Sequence, residues 1–343
     1  MKGLPASALT VCALIGLWTV GGRLWPKSMS VRPPQYVVIS LDGGGSLDMW
    51  QMSRAWALGM QQDTRRVRMT YFVSGVYLIE DTNAMSYEAP RQPRGLSLIG
   101  FGGSAGEVSR RVAQMRAAVE EGHEIANHAG GHFRGVDWTL AEWKRDITTL
   151  NRRMVAAAAN DLPVSGFRAP GLTGNGAMYS ALRDLQYRYD ASRAAAAHAW
   201  PSKRDGLWQF TLARVRTVMS DASVISMDYS FYRLHSGAKE DTRGSDAFEQ
   251  DMYATYVRQF EALYHGNRAP FQVLQHFDLF NGGVYWRALR RFAERVCGLP
   301  EVECLTYRDL VDRLEALTPE QLEAYRRGRF PRLLAETARS HGA

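Results

Sequence analysis

Five residues with charged or ionisable side chains stand where apolar, strand-like runs of this sequence end. They are Asp42, His128, Arg168, Asp228 and His276. In folds that alternate strands with helices, catalytic groups lie just past the carboxyl ends of the strands. The coincidence of these residues with strand ends therefore predicts an active site.

Asp42 ends the apolar run VISLD and is followed by Gly43 and two further glycines. A single carboxylate at the end of a buried strand costs desolvation free energy unless another group uses it. Glycines remove side chains at the point where a ligand or a second backbone could approach closely. We therefore expect Asp42 to be part of a site.

Two histidines, His128 and His132, lie four residues apart in the segment NHAGGHF. The spacing H-x-x-x-H can place two imidazoles around a single cation. Taken alone, the pair is equally compatible with two ordinary histidines in a glycine-rich loop. The strand-like run HEIANH leads directly into the pair, so His128 is expected to face the rim of the site.

Arg168, His276 and Asp228 complete the set, and each also has an ordinary structural explanation. In FRAPG, Pro170 restricts the backbone before it, and an arginine held there could orient Asp42 through a fork-like ion pair. The alternative is a surface arginine at a strand end. A lone His276 after VLQ is more often a core or rim residue, and Asp228 in ISMDYSF could simply face water.

The elements that must position these residues alternate between strands and helices. QYVVISLD, HEIANH, VSGFRAPG, RYDAS, SVISMDYSFY and FQVLQHF are predicted strands. Residues 104–122 are predicted to be helical because apolar residues recur at steps of four, three and four. A second helix is predicted to begin after Thr139, which forms a capping box with Glu142. This alternation predicts a parallel α/β sheet or barrel.

The order of the motifs resembles that of the polysaccharide deacetylase family, also known as the NodB-homology or carbohydrate esterase family 4 fold. The family's motifs T-F-D-D-G, H-[ST]-x-x-H, R-x-P-[YF]-G and L-x-H are similar to SLDGG, HAGGH, RAPG and LQH in this chain. YDAS and the following segment to Trp208 resemble a fourth region. The resemblance spans Tyr36 to Leu310 and implies a distorted (β/α) barrel with fewer than eight complete units.

The resemblance also implies roles for individual residues in hydrolysis of N-acetyl groups on a polysaccharide. Asp42 would be the general base, Arg168 its orienting partner and His276 the general acid. His128 and His132 would hold a divalent metal, usually zinc. Pro170 and Trp208 would contact substrate, with Trp208 as an aromatic wall.

Three departures from the family pattern concern the metal site and the substrate wall. Gly43 replaces the family's metal-binding second aspartate, Gly171 replaces the aromatic residue after the proline, and no hydroxyl residue lies between the histidines. Either Asp42 or a water completes the metal site, or another acid does so, with Asp228 and Asp48 as candidates. Alternatively, the metal is lost and the protein binds glycan without hydrolysing it.

We therefore favour a metal-dependent N-deacetylase of an envelope or extracellular polysaccharide over a non-catalytic carbohydrate-binding protein on the same fold. A membrane-tethered structural protein would leave the residues at the strand ends unexplained. The net charge is +7, but Lys and Arg are scattered and no nucleic-acid-binding motif accompanies them, so nucleic acid is not an expected partner.

The N-terminus predicts export, because an apolar run over about residues 6–20 follows a single lysine. We interpret this run as an export signal that is either cleaved or kept as a membrane anchor. The protein is therefore expected to be periplasmic, membrane-anchored or secreted. Cys297 and Cys304 could then pair, whereas two free buried thiols are the alternative. The expected organisation is an N-terminal segment with linker (1–34), a deacetylase-like domain (35–315) and a C-terminal helical extension (316–343).

Overall fold

The computed structural model describes residues 31–62 and 65–332. The predicted export segment therefore lies outside the described residues, as does the end of the predicted C-terminal extension. Within the described ranges, no helix has both the length and the apolar character needed to cross a bilayer. The strands are β1 (Gln35–Gly43), β2 (Met69–Val73), β3 (Glu124–Asn127), β4 (Gly166–Phe167), β5 (Tyr189–Ala196), β6 (Ser202–Arg204), β7 (Leu207–Arg216), β8 (Ser223–Ile225), β9 (Phe271–His276) and β10 (Val302–Cys304).

In the described chain, seven parallel strands form the centre of the fold, in the order β9-β1-β2-β3-β4-β5-β7. The short segment after β8 closes this sheet into a barrel. Ser226 donates its N–H to Ala213 of β7, and Met227 forms a parallel bridge to Leu274 of β9. The predicted distorted (β/α) barrel with fewer than eight complete units is confirmed.

The helices connect successive strands and pack side by side around the barrel, with α1 on α2, α3 on α4 and α6 on α7. The barrel strands are apolar because both of their faces are covered, and β1 is buried along nearly its whole length. The helices are α1 (Leu47–Gln62), α2 (Ala105–Glu120), α3 (Leu140–Ala156), α4 (Gly176–Asp184), α5 (Asp228–Ser236), α6 (Ser245–His265), α7 (Phe280–Val296), α8 (Tyr307–Glu315) and α9 (Pro319–Arg326).

Local capping sequences decide where two of the predicted helices begin. Ser104 and Glu107 form a capping box at the start of α2, and Thr139 and Glu142 form the predicted one at the start of α3. Each box pairs an otherwise unsatisfied backbone N–H at the helix start with a side chain. These two helices could be located from the sequence because their start signals are local.

The predicted strand SVISMDYSFY is wrong over most of its length. The strand β8 ends at Ile225, and Asp228 begins helix α5. Phe231 and Tyr232 are buried on one face of this helix. The aromatic residues that suggested a strand therefore belong to the buried face of a helix. An aspartate in the first turn is favoured there by the helix dipole.

The end of the barrel opposite the predicted site is fastened by a disulfide between Cys297 and Cys304, with 5.6 Å between their Cα atoms. It joins the residue after α7 to β10, which pairs with the first residues of β1. The pairing was one of two alternatives left open by the sequence, and it is confirmed. In the predicted C-terminal extension, the Tyr325 ring packs 5.6 Å from that of Trp200, against the barrel domain.

Candidate active site

The strand register brings the predicted residues to one end of the barrel. Asp42 of β1 is paired directly with His276 of β9, while His128 follows β3 and Arg168 follows β4. Parallel strands end at the same edge of a sheet, so these side chains converge. Asp42, His128, His132 and His276 line one cavity of about 640 Å³.

Arg168 fixes one oxygen of Asp42. Its Nη1 donates to Asp42 Oδ1 at 2.6 Å and to Ser40 Oγ at 2.9 Å, and its Nη2 donates to the Tyr307 hydroxyl at 2.9 Å. Burial lowers the pKa of this guanidinium, but the interaction with the Asp42 carboxylate raises it by more. The pKa of Arg168 is therefore raised overall. Arg168 therefore stays charged beside Asp42, and the orienting role predicted for Arg168 matches its position.

The backbone of Arg168 fixes His128 as well. His128 Nδ1 lies 2.8 Å from the Arg168 carbonyl oxygen. Because a carbonyl only accepts hydrogen bonds, Nδ1 must carry the proton, which we assign from this contact, and the lone pair is then on Nε2. Nε2 lies 3.9 Å from Asp42 Oδ2, the oxygen that Arg168 leaves free. A ring held in this way is characteristic of a metal-binding histidine.

The His132 ring lies beside that of His128, with 5.2 Å between the ring centroids. Burial lowers the pKa of both imidazoles, and the neighbouring His128 ring further lowers that of His132, to about 3. Both rings are therefore neutral near pH 7. Neutral imidazole is the form that coordinates a cation, so no proton has to be displaced for binding.

The loop that carries both histidines is held by two residues that the sequence did not single out. Asp146 of α3 accepts the Gly130 N–H at 3.0 Å and the Tyr87 hydroxyl at 2.7 Å, and that hydroxyl accepts the Gly131 N–H. A Cβ atom on Gly130 would lie 2.4 Å from the Asp146 carboxylate, so only glycine fits there. No local signal identifies these contacts, because Tyr87 and Asp146 are remote in sequence from the loop.

Asp228 lies beneath His276 and holds it in place. Its Oδ1 lies 2.6 Å from His276 Nδ1. Its Oδ2 accepts hydrogen bonds from the backbone N–H of His276 and from the side-chain amide of Gln275, both at 2.8 Å. Burial disfavours the charged imidazolium, but the Asp228 carboxylate and its hydrogen bond outweigh burial and raise the pKa of His276. His276 is thereby kept as a proton donor.

The structure separates the two residues predicted to contact substrate. Ala169 and Gly171 line the cavity on either side of buried Pro170, which therefore shapes the wall without lining it. Trp208 is 3% exposed, its indole N–H donates to Glu315 of α8, and it does not line the cavity. The aromatic residues that do line the cavity, Tyr229 and Phe280, were missed because they belong to helices whose position depends on tertiary packing.

The fit of a metal to these residues is partial. Two neutral imidazoles and Asp42 Oδ2 are the right donor types for zinc. Of the two candidate acids for a third ligand, Asp228 is instead bound to His276 and Gln275, and Asp48 is exposed in the first turn of α1. Across residues 31–62 and 65–332, no three His, Cys, Asp or Glu side chains are grouped closely enough to hold a metal as they stand.

Gly43, the position of the missing family ligand, has a backbone that L-amino acids rarely adopt. Its φ is +116°, and an added Cβ would meet only Phe277, at an ordinary 3.7 Å. The obstacle to a side chain at this position is therefore conformational strain rather than lack of space.

Comparisons with known proteins agree with this fold. The family model described as Polysaccharide deacetylase matches residues 58–189. No curated protein matches the chain. A crystal structure of a candidate polysaccharide deacetylase from Mycobacterium smegmatis is 16% identical with a TM-score of 0.54, covering 85% of this chain and 97% of that chain.

Two other solved structures have lower TM-scores. The Xyl-CE4 domain of a multidomain xylanase from the hindgut metagenome of Trinervitermes trinervoides is 11% identical with a TM-score of 0.46, covering 83% of this chain and 93% of that chain. A CE4 family pseudoenzyme from Bacillus anthracis is 12% identical with a TM-score of 0.44, covering 81% of this chain and 66% of that chain. The fold comparison rests on the Mycobacterium smegmatis protein.

Proposed function

We propose that this chain, whose residues 58–189 match the polysaccharide deacetylase family model, hydrolyses N-acetyl groups on an envelope or extracellular polysaccharide. The observation that carries the proposal is the pairing of two preorganised groups at one cavity. Asp42 is held by Arg168, and His276 is held by Asp228. A positioned base and a positioned acid are what amide hydrolysis by proton transfer requires.

Asp42 acts as the general base in this proposal. Arg168 occupies Oδ1, so Oδ2 is the oxygen that takes a proton from the attacking water. The buried guanidinium also keeps the carboxylate in one orientation, which reduces the entropy lost on reaching the transition state.

His276 acts as the general acid for the leaving amine. Its Nδ1 is bound to Asp228, so Nε2 is the nitrogen that delivers the proton. Asp228 raises the His276 pKa and stabilises the imidazolium until the transfer occurs. In this proposal Asp228, a candidate metal ligand by sequence, has a positioning role instead.

A divalent metal, with zinc as the expected one, would be held by His128 and His132, with water as a further ligand, because Asp42 Oδ2 is the oxygen that acts as the base. When bound, such a metal polarises the amide carbonyl and lowers the pKa of its water. The neutral rings and the Nδ1–H contact of His128 to Arg168 support this assignment.

A second candidate function is carbohydrate binding without hydrolysis on the same fold. The observation that favours it is Gly43, which supplies no side-chain ligand where the family has an aspartate. The absence of a ready three-ligand group among the described residues points the same way.

We also propose an exported protein, periplasmic, membrane-anchored or secreted. The apolar N-terminal run and the Cys297–Cys304 disulfide support export, because disulfides persist mainly in oxidising compartments.

The test combines metal content, acetate release and sugar binding on the purified full-length protein. Neutral and acidic N-acetylated oligosaccharides are assayed before and after chelation. We expect bound zinc, acetate release that chelation abolishes, and a loss of at least about a hundredfold in Asp42→Asn. His132→Asn, which suits a positive φ, should lose the metal, whereas the exposed His198→Ala should retain it. Sugar binding with neither metal nor acetate release would establish the second candidate instead.

A further inference from the structure

The cavity that holds Asp42 and His276 also has three arginines in its wall, Arg134, Arg214 and Arg233. Among the residues that the structure describes, none of the three has a hydrogen-bond acceptor or an ion-pair partner for its guanidinium. Arginines elsewhere on this surface commonly do, as Arg91 does with Glu142 and Arg188 with Asp312. Three guanidinium groups without a partner among the described residues therefore line this one cavity.

The three arginines come from three separate elements. Arg134 follows the histidine loop, Arg214 lies on β7 opposite Ile225 of β8, and Arg233 lies on α5. Arg233 is four residues after Tyr229, so both lie on the helix face that borders the cavity. Convergence from independent elements is not explained by the local sequence of any one of them.

Arg134 explains one departure from the family pattern. An added Cβ on Gly171 would lie 2.8 Å from Arg134 Nε, and Gly171 has a φ of +62°. The glycine that replaces the family's aromatic residue therefore leaves the space that Arg134 occupies. This wall of the cavity therefore carries a cation beside the position where the family motif has an aromatic residue.

Acidic side chains do not balance these cations within the described part of the cavity wall. Among the described residues that line it, Asp42 is the only carboxylate, and Arg168 already pairs with it. A cleft lined by charges of one sign concentrates its electrostatic potential and attracts the opposite charge. Guanidinium groups match the planar oxygens of carboxylate and the oxygens of phosphate, often through two parallel hydrogen bonds.

We propose that this cavity selects an anionic N-acetylated glycan, with a carboxylate or phosphate on the N-acetylated sugar or its immediate neighbour. Arg134, Arg214 and Arg233 bind the anion, while Tyr229 and Phe280, whose rings lie 5.9 Å apart, offer an apolar face to the sugar. The reaction at the acetamide rests on the proposed function, but recognition of the anion does not.

The experiment compares three N-acetylated oligosaccharides of equal length: a neutral one, a uronate-containing one and a phosphorylated one. Dissociation constants are measured by calorimetry on the full-length protein, with acetate release followed in parallel. We expect one or both acidic oligosaccharides to bind on the order of tenfold or more tightly than the neutral one at low salt, and the preference to shrink as salt is raised. The two acidic ligands distinguish carboxylate from phosphate.

Single variants Arg134→Gln, Arg214→Gln and Arg233→Gln should each reduce the ratio of acidic to neutral affinity severalfold. The matched control is Arg204→Gln on exposed β6, outside the cavity, which should keep the wild-type ratio. Equal affinity for neutral and acidic ligands, or a preference that survives all three substitutions, would overturn the inference. Arginine-dependent anion binding without acetate release would support anion recognition and reject the deacetylase proposal. Acetate release without a preference for acidic ligands would support the deacetylase proposal and reject anion recognition.

Discussion

At the scale of single residues, Arg168 positions two groups of the site, one through its side chain and one through its backbone. Its guanidinium orients Asp42, and its carbonyl oxygen sets the tautomer of His128. The base and one candidate ligand are therefore placed by the same residue, and that residue is locked by Ser40 and Tyr307. Movement of this strand end would disturb both groups together.

Replacing Asp228 with asparagine should separate positioning from folding. The substitution preserves side-chain size but removes the charge that raises the His276 pKa, so that pKa should fall. His276 must be protonated to act as an acid. The fall in activity at alkaline pH should therefore begin at a lower pH in the variant than in the wild type. We expect kcat to fall on the order of tenfold to a hundredfold, as read from a pH–rate profile.

The control for this variant is Asp161→Asn, an exposed aspartate paired with Arg116. It should leave the profile unchanged. An unaltered alkaline limb in Asp228→Asn, with the protein folded by circular dichroism, would refute the positioning role.

The sequence could predict those site residues whose motifs are local. Asp42, His128, His132, Arg168 and His276 were all identified from short segments, and the structure brings them together at one end of the barrel. It could not predict the residues that support them. Tyr307, for example, reaches Arg168 from 139 positions along the chain, a contact that exists only once the barrel has closed.

At the scale of elements, prediction succeeded where start signals and periodicity agreed, as in β1, β9, α2 and α3. It failed for SVISMDYSFY because aromatic residues fit either a strand or a buried helix face. The failure mattered for function. Asp228 was assigned to a strand run, whereas its place in the first turn of α5 directs it to His276.

Gly43 offers a test of the backbone at the end of β1. Gly43→Ala should lower the free energy of unfolding by about 1 to 3 kcal/mol, because alanine is strained at a φ of +116°. The measurement is urea-induced unfolding. The matched control is Gly59→Ala in α1, where an added Cβ meets nothing within 4 Å and helix propensity should raise stability slightly. Equal stability of the Gly43 variant and the wild type would show that the strand end relaxes freely.

At the scale of the whole molecule, the barrel closes where Ser226 and Met227 bridge β7 to β9. The disulfide joins the residue after α7 to β10 at the end of the barrel opposite the site. The α/β alternation predicted the class of fold, but the closing bridge was not predictable, since it depends on a hairpin whose register is tertiary. The predicted N-terminal export segment lies outside the described residues and remains a prediction.

Removing the disulfide should destabilise the protein without altering the site chemistry. Replacing both Cys297 and Cys304 with alanine opens a short loop between α7 and β10 and should cost about 2 to 3 kcal/mol in the free energy of unfolding. Urea unfolding measures the loss. With three cysteines in the full-length chain, denatured unreduced protein should expose one reactive thiol, and three would contradict the pairing.

The conformation of Gly43 also determines how readily the family's metal ligand could be restored in this protein. A single Gly43→Asp substitution would restore the family's carboxylate to the sequence. The fold does not accept it directly, because the φ of +116° must change before an aspartate can sit there without strain. Restoring the metal ligand therefore requires a change in the backbone at the end of β1 as well as the substitution itself.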